Sequence, residues 1–308
     1  MRSVHKPVLL HAVVRNLLEA PVLVIAASTG RTPWYLDGTL GGGGHARALA
    51  EALGGRVNLL GLDRDPVAIE RAEQELRGLA KLAIFEQADF RTLDRMLAKH
   101  GIAEVDLILL DLGISSDELE TSGRGFSFQK NEPLQMTMGE PSKHPFTAAD
   151  IVNGWSEEDI ANVIFAYGEE RYARRIARAI VNHRLKKPLE TTLELAELVK
   201  LSVPAFYRRG RVHPATRTFQ ALRIAVNDEL AAVKEGLAKS LQALCPGGRL
   251  AVISFHSLED RLVKEFGRQN EALGTLTIVN KRPLSAEADE LAANPRSRSA
   301  KLRVFTKN

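Results

Sequence analysis

Across 308 residues, 44% of them hydrophobic and 26% charged, the composition is that of a soluble protein long enough to bury one large core or two unequal ones. No apolar run approaches the ~20 residues that cross a bilayer, and a single cysteine, Cys245, excludes an intrachain disulfide and a Cys/His metal cluster. The net charge of +4 is unevenly spread: Arg171 to Arg217 carries twelve Lys/Arg against Glu190, Glu194 and Glu197, a local +9 that leaves −5 elsewhere.

The N-terminal run Met1-Arg2-Ser3-Val4-His5-Lys6-Pro7 lacks the apolar core of a signal peptide, and Val22 to Ala27 is too short to span a membrane, so a cytoplasmic, metal-free protein is expected. Trp34–Asp37 reads as a short buried strand ending in a carboxylate. Gly41-Gly42-Gly43-Gly44-His45 follows as a turn, and Ala46 to Leu53 as a helix. A strand, a turn free of side chains and a helix N-terminus make a place where backbone approaches a nucleotide-like ligand closely. Val57–Asp63 is the next strand and ends in Asp63, placed to accept hydrogen bonds from a ribose. Pro66–Leu79 reads as a helix with Pro66 in its first turn, Leu82–Glu86 as a strand, Arg91–His100 as a helix and Val105–Asp111 as an apolar central strand. This alternation predicts an α/β fold, a doubly wound, mostly parallel sheet with helices on both faces. Asp37, Asp63, Asp89 and Asp111 all fall at or just past strand ends, where such sheets hold ligands.

From Gly113 to about Arg217 the alternation stops. A Gly- and Ser-rich loop leads into helices over Ala161–Tyr167, Arg171–Arg184 and Thr192–Leu201. A long helix over Thr218–Leu244, ended by Pro246-Gly247-Gly248, resumes the pattern. Strands over Arg249–Phe255, Thr275–Asn280 and Lys301–Phe305 and a helix over Leu258–Asn270 complete it. The economical organisation is a sheet domain, 1–113 with 218–308, interrupted by an all-helical insertion, 114–217.

The glycine loop with Asp63 suits a dinucleotide or S-adenosylmethionine, or forms a purely structural turn. Asp37 favours S-adenosylmethionine, because a carboxylate there faces a sulfonium and an amino group better than a pyrophosphate. Asp89 and Phe90 border an adenine in one reading; in the other, Asp89 caps the following helix and Phe90 is core. Asp111, or a carbonyl of Leu112-Gly113-Ile114-Ser115-Ser116, can accept a hydrogen bond from a target amine; the bland alternative is a structural strand-end aspartate. Arg171, Arg174, Arg175 and Arg178 share one helix face. Phe206-Tyr207-Arg208-Arg209-Gly210-Arg211 mixes rings with cations, and Arg296 and Arg298 add a third basic element, a pattern suited to RNA or to a solvated surface. His256 is a proton acceptor or a strand-end hydrogen-bonding residue.

Taken together, several long words resemble the bacterial 16S ribosomal RNA cytosine-N4-methyltransferase family: Asp37-Gly38-Thr39-Leu40-Gly41-Gly42-Gly43-Gly44-His45, Asp63-Arg64-Asp65-Pro66, Leu110-Asp111-Leu112-Gly113-Ile114-Ser115-Ser116, Arg124-Gly125-Phe126-Ser127-Phe128, Tyr167-Gly168-Glu169-Glu170-Arg171, His213-Pro214-Ala215-Thr216-Arg217-Thr218-Phe219-Gln220-Ala221 and Ser254-Phe255-His256-Ser257-Leu258-Glu259-Asp260-Arg261. The resemblance implies a class I methyltransferase fold (Rossmann-like) with an inserted helical recognition domain. It implies S-adenosylmethionine as cofactor and N4 of a decoding-region cytidine in 16S, small-subunit rRNA as target. Its cofactor contacts fall on Gly43, Gly44, His45, Asp63, Phe90, Asp111 and Glu118, the last where relatives often carry Gln, with Asp111 as the catalytic residue. Gln135 and Thr137 stand where many relatives show Asp and Arg, and residues 21–33 look irregular for the family. The competing expectations are a methyltransferase acting on another RNA or a small molecule, and a non-catalytic, rRNA-binding ribosome-assembly factor.

Overall fold

The computed structural model describes residues 7–114, 119, 122–140, 142 and 144–308. The chain divides into two compact units, Met1–Gly113 with Leu230–Asn308, and Ile114–Glu229.

The first unit is built on seven strands: β1 (Trp34–Asp37), β2 (Asn58–Asp63), β3 (Leu82–Gln87), β4 (Val105–Asp111), β5 (Leu244–Ser254), β6 (Leu276–Ile278) and β7 (Lys301–Lys307), in the spatial order β3-β2-β1-β4-β5-β7-β6. The five strands from β3 to β5 are parallel, and β7 runs antiparallel to both β5 and β6. Because β1 to β4 are parallel, Asp37, Asp63 and Asp111 end their strands along one edge, as the strand-end carboxylates predict. An antiparallel seventh strand between the fifth and sixth is the topology of the class I methyltransferase fold, so the expected α/β class holds.

β4 shows why the sheet sits at the centre of this unit. Its first six residues, Val105–Leu110, are all buried; all but Asp106, which pairs with Arg31, are apolar, and such a strand needs cover on both faces. Leu107 and Leu109 pack on one face with Val13, Leu17 and Tyr35, and Ile108 and Leu110 on the other with Leu36, Val233 and Leu237. The period of two that directs side chains to alternate faces makes this division. Residues 21–33, without a reading from sequence, form the helix Pro21–Thr29 and its exit, packed beside β5. Among the described residues no single helix is long and apolar enough to cross a membrane.

Pro246–Gly248 do not cap a helix. They lie within β5, opposite a register irregularity between Val105 and Leu107 of β4, where Gly247 has φ 76°. The helix expected over Thr218–Leu244 is two helices, Thr216–Asn227 and Glu229–Ala243, broken by Asp228 in the left-handed region at φ 48°. The first of them packs on the helix Glu157–Gly168 within the second unit, although the sequence places residues from 218 onward with the sheet.

The second unit holds the helices Ala148–Gly154, Glu157–Gly168, Ala173–Arg184, Thr192–Ser202, Ala205–Arg208 and Thr216–Asn227 around a core that includes Phe126, Met136, Ile160, Ile176 and Leu195. Capping boxes at Thr147/Asp150 and Thr191/Glu194 start two of these helices. Gly168 lets Glu157–Gly168 cross Thr216–Asn227 closely: a Cβ there would lie 2.5 Å from the Arg217 carbonyl oxygen. Gln220 seals the crossing by donating to the Tyr167 carbonyl at 2.9 Å. Two of the long sequence words thus meet at one contact.

Candidate active site

The glycine turn is tied to the rim of the sheet by backbone hydrogen bonds. Asp63 Oδ2 accepts from the Gly41 N–H at 2.7 Å and Oδ1 from the Asp65 N–H at 2.9 Å, so one carboxylate fixes both the turn and the exit of β2. Gly41 and Gly43 adopt φ 50° and 74°, a region that side chains with a Cβ resist. Nothing stands within 4 Å of the position a Cβ would take on Gly41 or Gly42, whereas on Gly43 it would press on Leu76 at 3.0 Å and on Gly44 on Pro7 at 2.7 Å. One side of the turn is therefore open and the other is packed. Gly43 is also the N-cap of the helix Gly44–Ala52 and brings no side-chain cap to its first-turn amides.

Asp37 is 1% exposed. It accepts from the Tyr35 hydroxyl at 2.8 Å and from the Thr39 N–H at 3.2 Å, yet burial outweighs these bonds and pushes its carboxyl up to about 7. Burial likewise raises Asp63. Asp111 is the extreme case: burial, with Asp37 and Glu259 adding like charge, holds its carboxyl well above the usual range. Its backbone N–H donates to Thr39 Oγ1 at 2.6 Å, but side-chain Oδ1 is buried with no hydrogen-bond partner. A buried oxygen left this way costs free energy unless something else occupies it.

His45 is buried beside it. Only Nε2 can donate to the Val8 carbonyl, at 2.9 Å, which turns Nδ1 toward Asp111 Oδ2 at 4.0 Å. Phe90 lies in the core, its ring against Gly236, where a Cβ would come within 2.4 Å; the Arg64 guanidinium stands 5.8 Å from the ring centroid. Asp89 caps the 3-10 turn Phe90–Thr92 through the Arg91 N–H at 2.9 Å and pairs with Arg64 at 2.7 Å. Glu118, Ser115 and Ser116 lie outside the described residues. His256 is the N-cap of the helix Ser257–Ala272, its Nδ1 accepting the Glu259 N–H at 3.4 Å, which is the structural reading of that residue. Thr137 is fully buried in the second unit.

The structure thus gathers Gly43, Gly44, His45, Asp63 and Asp111 with Asp37 along one rim. Three further residues serve it. Tyr35 lies two positions before Asp37, on the same face of β1, so strand periodicity was a usable signal. Thr39 joins the ends of β1 and β4, and no pattern in the sequence announces that bridge. Buried Glu259 accepts from the Phe255 N–H at 2.8 Å and adds negative charge toward Asp111.

An open glycine turn, acidic residues whose burial raises their pKa and an unpartnered oxygen suit a cationic ligand with hydroxyl donors. S-adenosylmethionine has both, a sulfonium and a ribose, and the residues fit it.

Asp37 has a consequence for stability. The folded chain keeps on Asp37 a proton that the unfolded chain releases near 3.8. Its contribution to stability without ligand therefore declines from pH 3.8 to about 7 and then levels off. Thermal midpoints of the wild type and Asp37→Asn, followed across that range, should differ by an amount that changes steadily with pH. Parallel curves would contradict the assignment.

Residues 2–308 match the sequence profile of the MraW methylase family. The ribosomal RNA small subunit methyltransferase H of Deinococcus deserti is 50% identical over 290 residues, 94% of this chain and 91% of its own. The proteins of that name from Deinococcus radiodurans and Heliobacterium modesticaldum are 48% and 44% identical, over 97% and 98% of this chain and 88% and 98% of theirs. By fold and by descent this chain is an S-adenosylmethionine-dependent methyltransferase that belongs to the MraW methylase family.

Proposed function

We propose that the chain methylates N4 of a cytidine in the decoding region of 16S rRNA, within the small ribosomal subunit, in the cytoplasm. The first unit is the catalytic domain and the second the RNA-recognition domain. The observation that carries the chemistry is the buried, unpartnered Asp111 Oδ1 at the end of β4.

S-adenosylmethionine supplies an electrophilic methyl group on a cationic sulfur. Asp63 offers its remaining lone pairs to the ribose hydroxyls, while Gly43 and Gly44 bring backbone close; His45 borders the same site, and Phe90 and Glu118 are assigned to it by resemblance. A positive charge at the rim favours the ionised forms of Asp37 and Asp111, which reverses the penalty their burial imposes. Asp111 then accepts a hydrogen bond from the exocyclic amine. The amine lone pair is delocalised into the base, and drawing on its N–H directs reaction through nitrogen. Alignment supplies most of the acceleration, and no covalent intermediate with the protein is needed. The target base is turned out of its stack to reach Asp111.

The second unit carries the positive charge for an RNA partner. Arg171, Arg174, Arg175 and Arg178 are exposed along one helix face and its entry, and Arg178 spends part of its charge on Glu157 at 3.4 Å. Arg174→Glu combined with Arg178→Glu should weaken RNA binding about a hundredfold near physiological salt and flatten its salt dependence. An unchanged slope in a salt titration returns this helix to the role of solvated surface.

Labelled methyl transferred to purified small subunits, but not to free nucleosides or proteins, is the expected result of the direct assay. Transfer to a free nucleoside favours a small-molecule methyltransferase. Binding of rRNA with no heat on titration of S-adenosylmethionine favours the assembly factor.

A further inference from the structure

Within the second unit, one cation sits among three aromatic rings. The Arg171 guanidinium carbon lies 4.9 Å from the ring centroid of Tyr172, 5.0 Å from that of Tyr207 and 5.9 Å from that of Phe206. The two tyrosines are fixed. Their rings meet edge to face at 5.0 Å, and the Tyr207 hydroxyl donates at 2.6 Å to Glu170 Oε2, a carboxylate with no exposed surface. Glu170 Oε1 in turn accepts the Tyr172 N–H at 2.9 Å. The buried acid therefore anchors the Tyr207 ring and the Tyr172 backbone, and the two rings flank the guanidinium.

Phe206 is different. It is 66% exposed, and no other ring packs against it among the described residues. Arg208, two residues on, is committed to the end of the preceding helix, donating to the Val203 and Leu201 carbonyls at 3.0 and 2.8 Å. Arg209 and Arg211 are exposed. A flat apolar ring thus stands in solvent near a cation flanked by two tyrosine rings, with Arg209 and Arg211 following it in the chain.

We propose that Phe206 and Arg171 form a stacking platform for an unpaired nucleobase of single-stranded RNA, with Arg209 and Arg211 contacting the flanking phosphates. The inference rests on the RNA reading above and specifies it: the element gripped is single-stranded, and the grip tolerates sequence because every base has a π face. Leu201 and Val212 are also exposed in this segment, so an apolar peptide is the competing occupant; the exposed cations Arg171, Arg209 and Arg211 favour an anionic strand. In a duplex the bases are already stacked on each other, so the ring has nothing to receive.

The test uses the full chain and a fluorescent single-stranded RNA of about 12 nucleotides, within the range one such site occupies, with a duplex of equal length as control. Phe206→Ala should weaken single-strand binding about tenfold and leave the salt slope unchanged, since a ring releases no counterions. Duplex binding should not move. Phe206→Trp should restore affinity, and Phe206→Leu, which keeps the apolar bulk without the π face, should not. Arg209→Gln, which removes a phosphate contact, should weaken binding and also reduce the slope by about 0.7. At 66% exposure the ring contributes little to folding, so loss of structure does not cloud the result.

Single-strand affinity equal to wild type in Phe206→Ala, equal losses on single strand and duplex, or rescue by leucine would each overturn the platform while leaving the RNA reading intact. Wild-type protein that binds no RNA would overturn both. Normal binding of free RNA by Phe206→Ala with loss of binding to whole subunits would assign the ring to a protein contact and overturn the proposal.

Discussion

Asp111→Asn is expected to lower turnover about a hundredfold while leaving the protein as stable as before or more so. The two effects have one origin. Asp111 is a carboxyl left 18% exposed, with one oxygen, Oδ1, buried and unpartnered, and it is raised by burial, Asp37 and Glu259, so its charge is a liability to the fold. An amide of the same shape removes that charge and keeps the backbone bond to Thr39 Oγ1. What it loses is the ability to offset a cationic donor and to draw on the amine proton as reaction proceeds. Single-turnover methyl transfer and a thermal melt on the same preparation check the pair. Full activity would remove the charge from the mechanism, and a lower melting midpoint would show that it has a structural purpose.

Asp63→Ala should weaken S-adenosylmethionine binding about a hundredfold and leave RNA affinity unchanged. Two hydrogen bonds from ribose hydroxyls to a carboxylate, at roughly 1.5 kcal/mol each, correspond to that factor. The variant also releases the Gly41 and Asp65 amides from their shared anchor, so the turn that lets backbone approach the ligand loosens as well. Asp63→Asn should fare little better, because both backbone partners are N–H donors and the amide nitrogen has no acceptor to meet. Calorimetry with the donor measures this, and equal affinity in either variant would remove Asp63 from the site.

Much of the first unit was legible because its signals are local. β1, β2 and β4 are short apolar runs that end in aspartate, and Pro66 with Asp65 as N-cap marks a helix start through the Val67 N–H at 3.0 Å. The two-faced burial of Leu107–Leu110 in β4 follows from its composition alone, whereas that of Asp106 depends on its pairing with Arg31. Three features were not legible. The break at Asp228 puts a non-glycine residue in the left-handed region, which an uninterrupted helical pattern hides. Pro246–Gly248 carry turn chemistry but sit in a bulged strand, because Leu244 and Arg249 on either side of them both pair with β4, which overrides local preference. Pro21–Thr29, apolar nearly all round, is defined by packing against the sheet, which no single-segment pattern records, whereas the spacing of Leu10, Val13, Val14, Leu17 and Leu18 was a usable helix signal.

At the site, the acidic residues were legible as strand-end carboxylates, and their inequality was not. Asp89 is spent on a helix cap and on Arg64, whereas Asp111 retains an oxygen without a partner. Which carboxylate is occupied depends on contacts between strands far apart in sequence, such as Thr39 with Asp111. The basic segment of the second unit was legible as charge, but the Glu170 anchor beneath its rings was not, since a buried acid within an arginine-rich stretch reads as one more surface residue.

The most direct test of the account is a crystal structure grown with S-adenosylmethionine. It should show the ribose hydroxyls on the Asp63 carboxylate, the glycine turn against the ligand and the methyl group directed toward Asp111. Donor bound elsewhere, or a rim closed by side chains at saturating donor, would contradict it.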